Sequence, residues 1–196
     1  MNKRIITTLT FLLASTSLFA QVGIGTVVPS AQLEIEGTNT GIPVLELNPQ
    51  SAPAGSAMGQ LAVIGDLLYM YDATRGKWLS VASTALQYGK NNTQGGGDNY
   101  IRFGGDTRDG NSGPKMPFDG TIVYVTTESS NSVTDTYVLS LDGATTGTSY
   151  TLVAGDFIKT DYNVDFNAGQ TINIYTSGLN KNAQDPSVIV WVKWRQ

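Results

Sequence analysis

Residues 187–195 read Ser-Val-Ile-Val-Trp-Val-Lys-Trp-Arg. In an extended chain Val188, Val190, Val192 and Trp194 lie on one face, and Ile189, Trp191, Lys193 and Arg195 on the other. A strand with one wet face alternates apolar and polar side chains, but residues 188–192 are apolar on both. Such a strand packs one face in its own core and has the other covered by a second sheet or a neighbouring subunit.

The first twenty residues are set apart from any such fold. Met1-Asn2-Lys3-Arg4 is basic, Ile5 to Leu13 is largely apolar, and Ser17-Leu18-Phe19-Ala20 reads as a cleavage end. That order is the one a bacterial secretory signal peptide requires, and the run is too short for a spanning helix. Cleavage is expected after Ala20, the alternative being an uncleaved N-terminal anchor. No later stretch approaches eighteen uninterrupted apolar residues, so no membrane insertion is expected of the rest.

Removing Lys3 and Arg4 from the twelve basic residues leaves ten against sixteen acidic ones, a net charge of −6. Nucleic acid and anionic membrane surfaces select clustered Lys and Arg, so neither is an expected partner. Cysteine is absent, which excludes disulfides and thiolate chemistry. An exported domain without disulfides is held by its core or by oligomerisation. Histidine is absent too, which removes the commonest general base and metal ligand.

Twenty-two glycines, among many Thr, Asn, Ser and Asp, separate short β-rich runs, and no window carries a helical period. The expected class is all-β. Leu33 and Ile35 alternate with Gln32, Glu34 and Glu36, giving a short strand, and Ile42 to Leu47 a second. Asn48 to Gly59 is a loop rich in Pro, Ala, Gly and Ser. Residues 59–66, 67–72 and 78–81 then form a meander, with turns at Gly65-Asp66 and Arg75-Gly76. Residues 83–99 are polar and dense in glycine, a connector.

Tyr100 to Phe103 is a short strand. Gly104 to Gly113 has the look of a calcium loop, but Arg108 puts a cation where an oxygen ligand belongs. Asp106 and Asp109 with carbonyls could hold Ca²⁺ in a looser loop; a solvated turn is the simpler reading. After Pro117 come strands at 121–128, 135–142, 149–153, 162–166, 171–175 and 187–195, with loops at 143–148 and 180–186. About one strand per ten to fifteen residues favours a sandwich or jelly roll.

Three stretches resemble known groups. Gly23-Ile24-Gly25-Thr26, Pro29-Ser30-Ala31 and Leu33-Glu34-Ile35 resemble an N-terminal stalk of secreted bacterial and phage-type fibre proteins, in which short strands from three chains wind about one axis; the run also reads as an unstructured tail. Tyr69, Tyr71, Asp72, Lys77 and Trp78 resemble a small meander of phage-tail and surface-fibre proteins. Its three rings could stack on sugars, but plain packing explains them first, with copies from other subunits covering a unit too small to bury them. Pro117, Asp119, Gly120, Phe166, Ala168, Gly169, Ile172 and Trp191 resemble the trimeric jelly-roll heads of the complement/tumour-necrosis-factor type, over about residues 85–196.

The expected organisation is a signal peptide (1–20) and a linker (85–99), read from the residues, with a stalk or extended segment (21–58), a small β-meander (59–84) and a jelly-roll head (100–196) that the resemblance implies. The resemblance also implies an exported structural or adhesive fibre subunit, a homotrimer whose interface includes Trp78, Tyr124, Ile189 and Trp191. A glycan, a cell-surface component or a matrix component is a further partner, and a carbohydrate-binding module using loops at the head's tip is the alternative. No cofactor and no catalysis are expected. Ser112-Gly113-Pro114-Lys115 matches Ser-x-x-Lys without the helix that motif needs. Asp119, Asp142, Asp156, Asp161 and Asp165 are acid–base candidates by residue type alone, and aspartates beside glycine are first of all turn residues.

Overall fold

A computed structural model describes residues 22–24, 31–37, 41–91, 99–104, 113–177 and 182–196. The chain divides into two units, 1–48 and 49–196. The expected signal peptide, Asp106, Asp109 and Ser112 lie outside the described residues.

In the first unit β1 (Val22–Ile24) pairs in parallel with β2 (Leu33–Ile35), Val22 opposite Leu33 and Ile24 opposite Ile35. The second strand expected there, Ile42 to Leu47, does not form. Pro43 has no N–H to give to a ladder, and Ile42, Val44, Leu45 and Leu47 are exposed.

The second unit is built from antiparallel strands in two sheets. One has the order β11 (Asp156–Lys159), β8 (Gly120–Glu128), β14 (Ser187–Arg195), β5 (Lys77–Gly89), β4 (Leu67–Asp72), β3 (Leu61–Ile64). Beside this path β12 (Val164–Phe166) pairs with β8, and β7 (Arg102–Phe103) with β5. The other sheet runs β10 (Ala144–Leu152), β9 (Asp135–Leu141), β13 (Ile172–Ser177), β6 (Asn99–Tyr100). From Gly120 onward the chain crosses between the sheets four times, as β8, then β9 and β10, then β11 and β12, then β13, then β14, and of these consecutive strands only β9 and β10 pair with each other. No helix occurs among the described residues.

The strand with two apolar faces is central to the larger sheet, paired along its length with β5 on one side and β8 on the other. Its inner residues Val188, Val190 and Val192 are fully buried. They share one core with Ile122 and Val125 of β8, Tyr137 and Leu139 of β9, and Ile172 and Ile174 of β13. Two hydroxyls cross between the sheets: Tyr88 Oη donates to the Ile172 carbonyl at 2.9 Å, and Thr127 Oγ1 lies 2.7 Å from Tyr150 Oη. Tyr150 also stacks between Tyr137 and Phe157, at 5.4 and 4.3 Å between ring centres.

Three boundaries differ from expectation. Residues 85–89 belong to β5 and pair with Ser187 to Trp191, so the expected linker begins inside the sheet. The first half of β5 pairs with β4 and its second half with β14 and β7, which makes the meander an extension of the larger sheet. The ladder breaks between Lys193 and Arg195, and there the Ser80 hydroxyl accepts from the Trp194 amide at 2.9 Å and donates to the Ala82 carbonyl at 2.6 Å. A serine that satisfies a bulge is indistinguishable by composition from a linker serine.

The second boundary is at the start of the unit. The segment after Pro49 packs on the meander: Trp78 Nε1 donates to the Pro53 carbonyl at 2.8 Å, and Gln50 N to Val63 O at 2.9 Å. Trp78, Tyr69, Ile64 and Ala62 therefore form a small core of their own within one chain. The third lies at 144–148, read as loop and found in β10, where a bulge between Thr145 and Ser149 had hidden the strand's alternation.

Candidate interaction face

The outward residues of the larger sheet form an apolar strip. Register places Ile158 of β11 opposite Thr126 of β8, and Thr126 opposite Ile189 of β14. In the adjoining row Tyr124 of β8 lies opposite Trp191 of β14, which lies opposite Ala85 of β5. The inner neighbours Val125, Val190 and Leu86 are buried, which fixes the strip as the opposite face. Ile158 is 67% exposed and Tyr124 38%, while Ile189 and Trp191 are half-buried by the sheet around them.

Of the four expected interface residues, the structure brings Tyr124, Ile189 and Trp191 together on this face. Trp78 stands apart. It is only 8% exposed and covered by its own chain, so it needs no neighbouring copy to shield it. Composition could not reveal that cover, because the residues supplying it sit in what reads as a Pro-Ala-Gly-Ser linker.

The strip is bounded by clefts. One of about 210 Å³ is lined by Ile158, Ile189, Thr126, Glu128 and Asp156. A larger one, of about 570 Å³, lies where Tyr124 and Lys193 meet Met58, Met70 and Asp161.

Polar pins hold the meander's turn against the head, and sequence reasoning missed them. Arg75 Nη1 pairs with Asp72 Oδ2 at 2.6 Å, its Nε donates to the Tyr162 carbonyl at 2.8 Å, and its Nη2 donates to the carbonyls of Val123 and Thr160 at 3.3 Å. A planar guanidinium can serve all these acceptors at once. Lys77 Nζ meets Asp165 Oδ1 at 2.6 Å and Asn163 Oδ1 at 2.9 Å, and Thr121 Oγ1 also donates to Asp165 at 2.6 Å. For Asp165 burial pushes the carboxyl upward, but the hydrogen bonds from Lys77 and Thr121 and the charges of Lys77 and Arg195 outweigh it, leaving the group below the ordinary range. Arg75-Gly76 reads as a turn, and nothing local marks the carbonyls it donates to, which lie 48 to 87 residues away.

The aspartates singled out by type are engaged in structure. Asp119 accepts from the Ala168 amide at 2.8 Å. Asp142, at a left-handed φ of 50°, accepts from the Thr171 amide at 2.8 Å and lies below the ordinary range chiefly through that bond. Asp161 lies 3.5 Å from Lys159, and Asp156 is an exposed residue at the start of β11. Asp119 and Asp165 both approach Arg195 at 3.8 Å, so a guanidinium occupies the space an acid–base pair would leave for substrate. Among the described residues no three His, Cys, Asp or Glu are grouped to hold a metal ion.

The loops at 129–133 and 182–185 bond to one another. Asn131 donates to Asn182 O and accepts from Gln184 N, both at 2.8 Å, and the buried Asp135 carboxylate accepts from Ala183 N at 2.7 Å. No protein-family model matches the chain, and no curated protein matches it.

Proposed function

We propose that this chain is an exported structural or adhesive protein, that its two-sheet unit is a jelly-roll head, and that the head assembles as a homotrimer through the outer face of its larger sheet. The observation that carries the reading is the patch of Tyr124, Trp191, Ile189 and Ile158 on that face, where Ile158 and Tyr124 are exposed and Ile189 and Trp191 only half-buried. Contiguous apolar surface of this kind marks an association site. A closed cyclic assembly covers identical faces without leaving a growing edge. The number three comes from the resemblance of residues 117–120, 166–172 and 191 to trimeric heads. At about 25 cal/mol per Å², complete burial of one such aromatic contributes about 2–3 kcal/mol.

The glycan-binding alternative has less support, because the tip loops spend much of their polar capacity on each other. Light scattering on the purified mature protein tests the assembly. Three copies are expected for the natural sequence and one folded copy for Trp191→Asp. A folded trimer from that variant, or a monomer from the natural sequence, overturns the reading.

A further inference from the structure

We propose that Lys77 and Asn163 become joined by an intramolecular isopeptide bond, with Asp165 as the catalytic proton carrier. Lys77 opens β5, Asn163 immediately precedes β12, and the two are 86 residues apart in sequence. The Lys77 amine lies 2.9 Å from Asn163 Oδ1 and 2.6 Å from Asp165 Oδ1, so nucleophile, acyl group and carboxylate converge at one point. The Lys77 side chain is 15% exposed, which restricts hydration of the amine, while Asp165, 44% exposed, keeps the site open to solvent on one side. Thr121 fixes the carboxylate through a 2.6 Å bond, and Arg195 stands 3.8 Å from its second oxygen.

The chemistry closes without any co-reactant. Asp165 is ionised at rest, so a proton first passes along the 2.6 Å contact from the Lys77 ammonium to the carboxylate. The freed amine attacks Asn163 Cγ and a C–N bond forms. Asp165 gives the first proton to Nδ2, then takes the second from the former amine nitrogen and hands it to the departing ammonia. The Cγ–Nδ2 bond breaks and ammonium leaves through the open side. One ammonium side chain and one carboxamide become one secondary amide plus ammonium, and Asp165 ends as it began. Fixed geometry lets a single turnover proceed from weakly activated groups. The product ties the meander to the head covalently in a chain that has no cysteine for the purpose.

Peptide mapping by mass spectrometry on the folded full chain, after incubation at neutral pH, decides the matter. The expected result is one tryptic species containing both Lys77 and Asn163, uncut after Lys77, and lighter than its two parts together by the mass of ammonia, about 17 Da. A mature N-terminus at Gln21 can lose the same mass by cyclising, so the deficit must fall on the joined pair. Lys77→Arg and Asp165→Asn should each yield separate peptides, and Lys77→Arg should retain any loss at Gln21. Should a variant not fold, the map of the natural chain decides alone. Recovery of Lys77 and Asn163 on separate, unmodified peptides overturns the proposal.

Discussion

Ala154 holds a φ of 53° in the two-residue turn joining β10 to β11, where Val153 and Asp156 exchange backbone bonds at 3.1 Å. A Cβ in the left-handed region costs about 1–2 kcal/mol, and glycine avoids that cost while losing more entropy on folding. Ala154→Gly should therefore stabilise the protein by about 0.5 kcal/mol, seen as a higher urea midpoint at unchanged slope. Gly120 is the opposite case. A Cβ there would overlap the Phe166 ring and sit 2.8 Å from the Lys193 carbonyl. Gly120→Ala should cost about 2–3 kcal/mol by the same measurement, since two strands must part to admit one methyl group.

Charge at single residues sets the acid limit. Burial raises the Asp72 carboxyl, but hydrogen bonds and the charge from Arg75 bring it below its ordinary value of 3.8. Asp142 is held low first by the Thr171 amide. Groups depressed in the folded state bind more protons when unfolded, so their contribution is present above 3.8 and lost as pH falls through the folded values. Melting temperature should stay level from about pH 7 to 5 and fall below about pH 4. In Asp72→Asn the acid fall should shrink, because one of the depressed groups is gone.

At the scale of elements, legibility followed the alternation of side chains. Ser187–Arg195 was readable because Val188, Val190 and Val192 fall on one buried face, and residues 61–72 because the Gly65-Asp66 turn separates two apolar runs. β5 was not. Its middle residues, Val81 to Thr84, are exposed, and the bulge at Ser80 interrupts the period, so a thirteen-residue strand resembled a short strand and a linker. β11 escaped notice because only Phe157 of its four residues turns inward. Ile42 to Leu47 misled for the converse reason, being apolar enough for a strand but lacking a ladder partner among the described residues. The site divided the same way: Tyr124, Ile189 and Trp191 lie on strands whose phase is plain, whereas Arg75 acts on carbonyls that no pattern announces. One consequence is that meander and head should unfold together. In a variant that keeps Trp78 as its one tryptophan (Trp191→Phe with Trp194→Phe), the fluorescence change and loss of far-ultraviolet sheet signal should coincide in denaturant; two separated transitions would show that β5 does not couple them.

The whole molecule has an all-β frame whose central strand is buried on one face and half-covered on the other. If the open face closes against other copies, folding and assembly share one equilibrium. Melting temperature must then rise with protein concentration, because mass action favours the state that binds. Tyr124→Asp places a charge on that face without entering the core, since Tyr124 is 38% exposed. In a monomer such a change stays within about 0.5 kcal/mol. At a buried interface it leaves an unpaired carboxylate and costs several kcal/mol per assembly. Calorimetry over a hundredfold range of concentration should show a rising melting temperature for the natural chain and a flat, lower one for Tyr124→Asp. Equal, concentration-independent melting of the two would mean that Tyr124 faces water in the working protein.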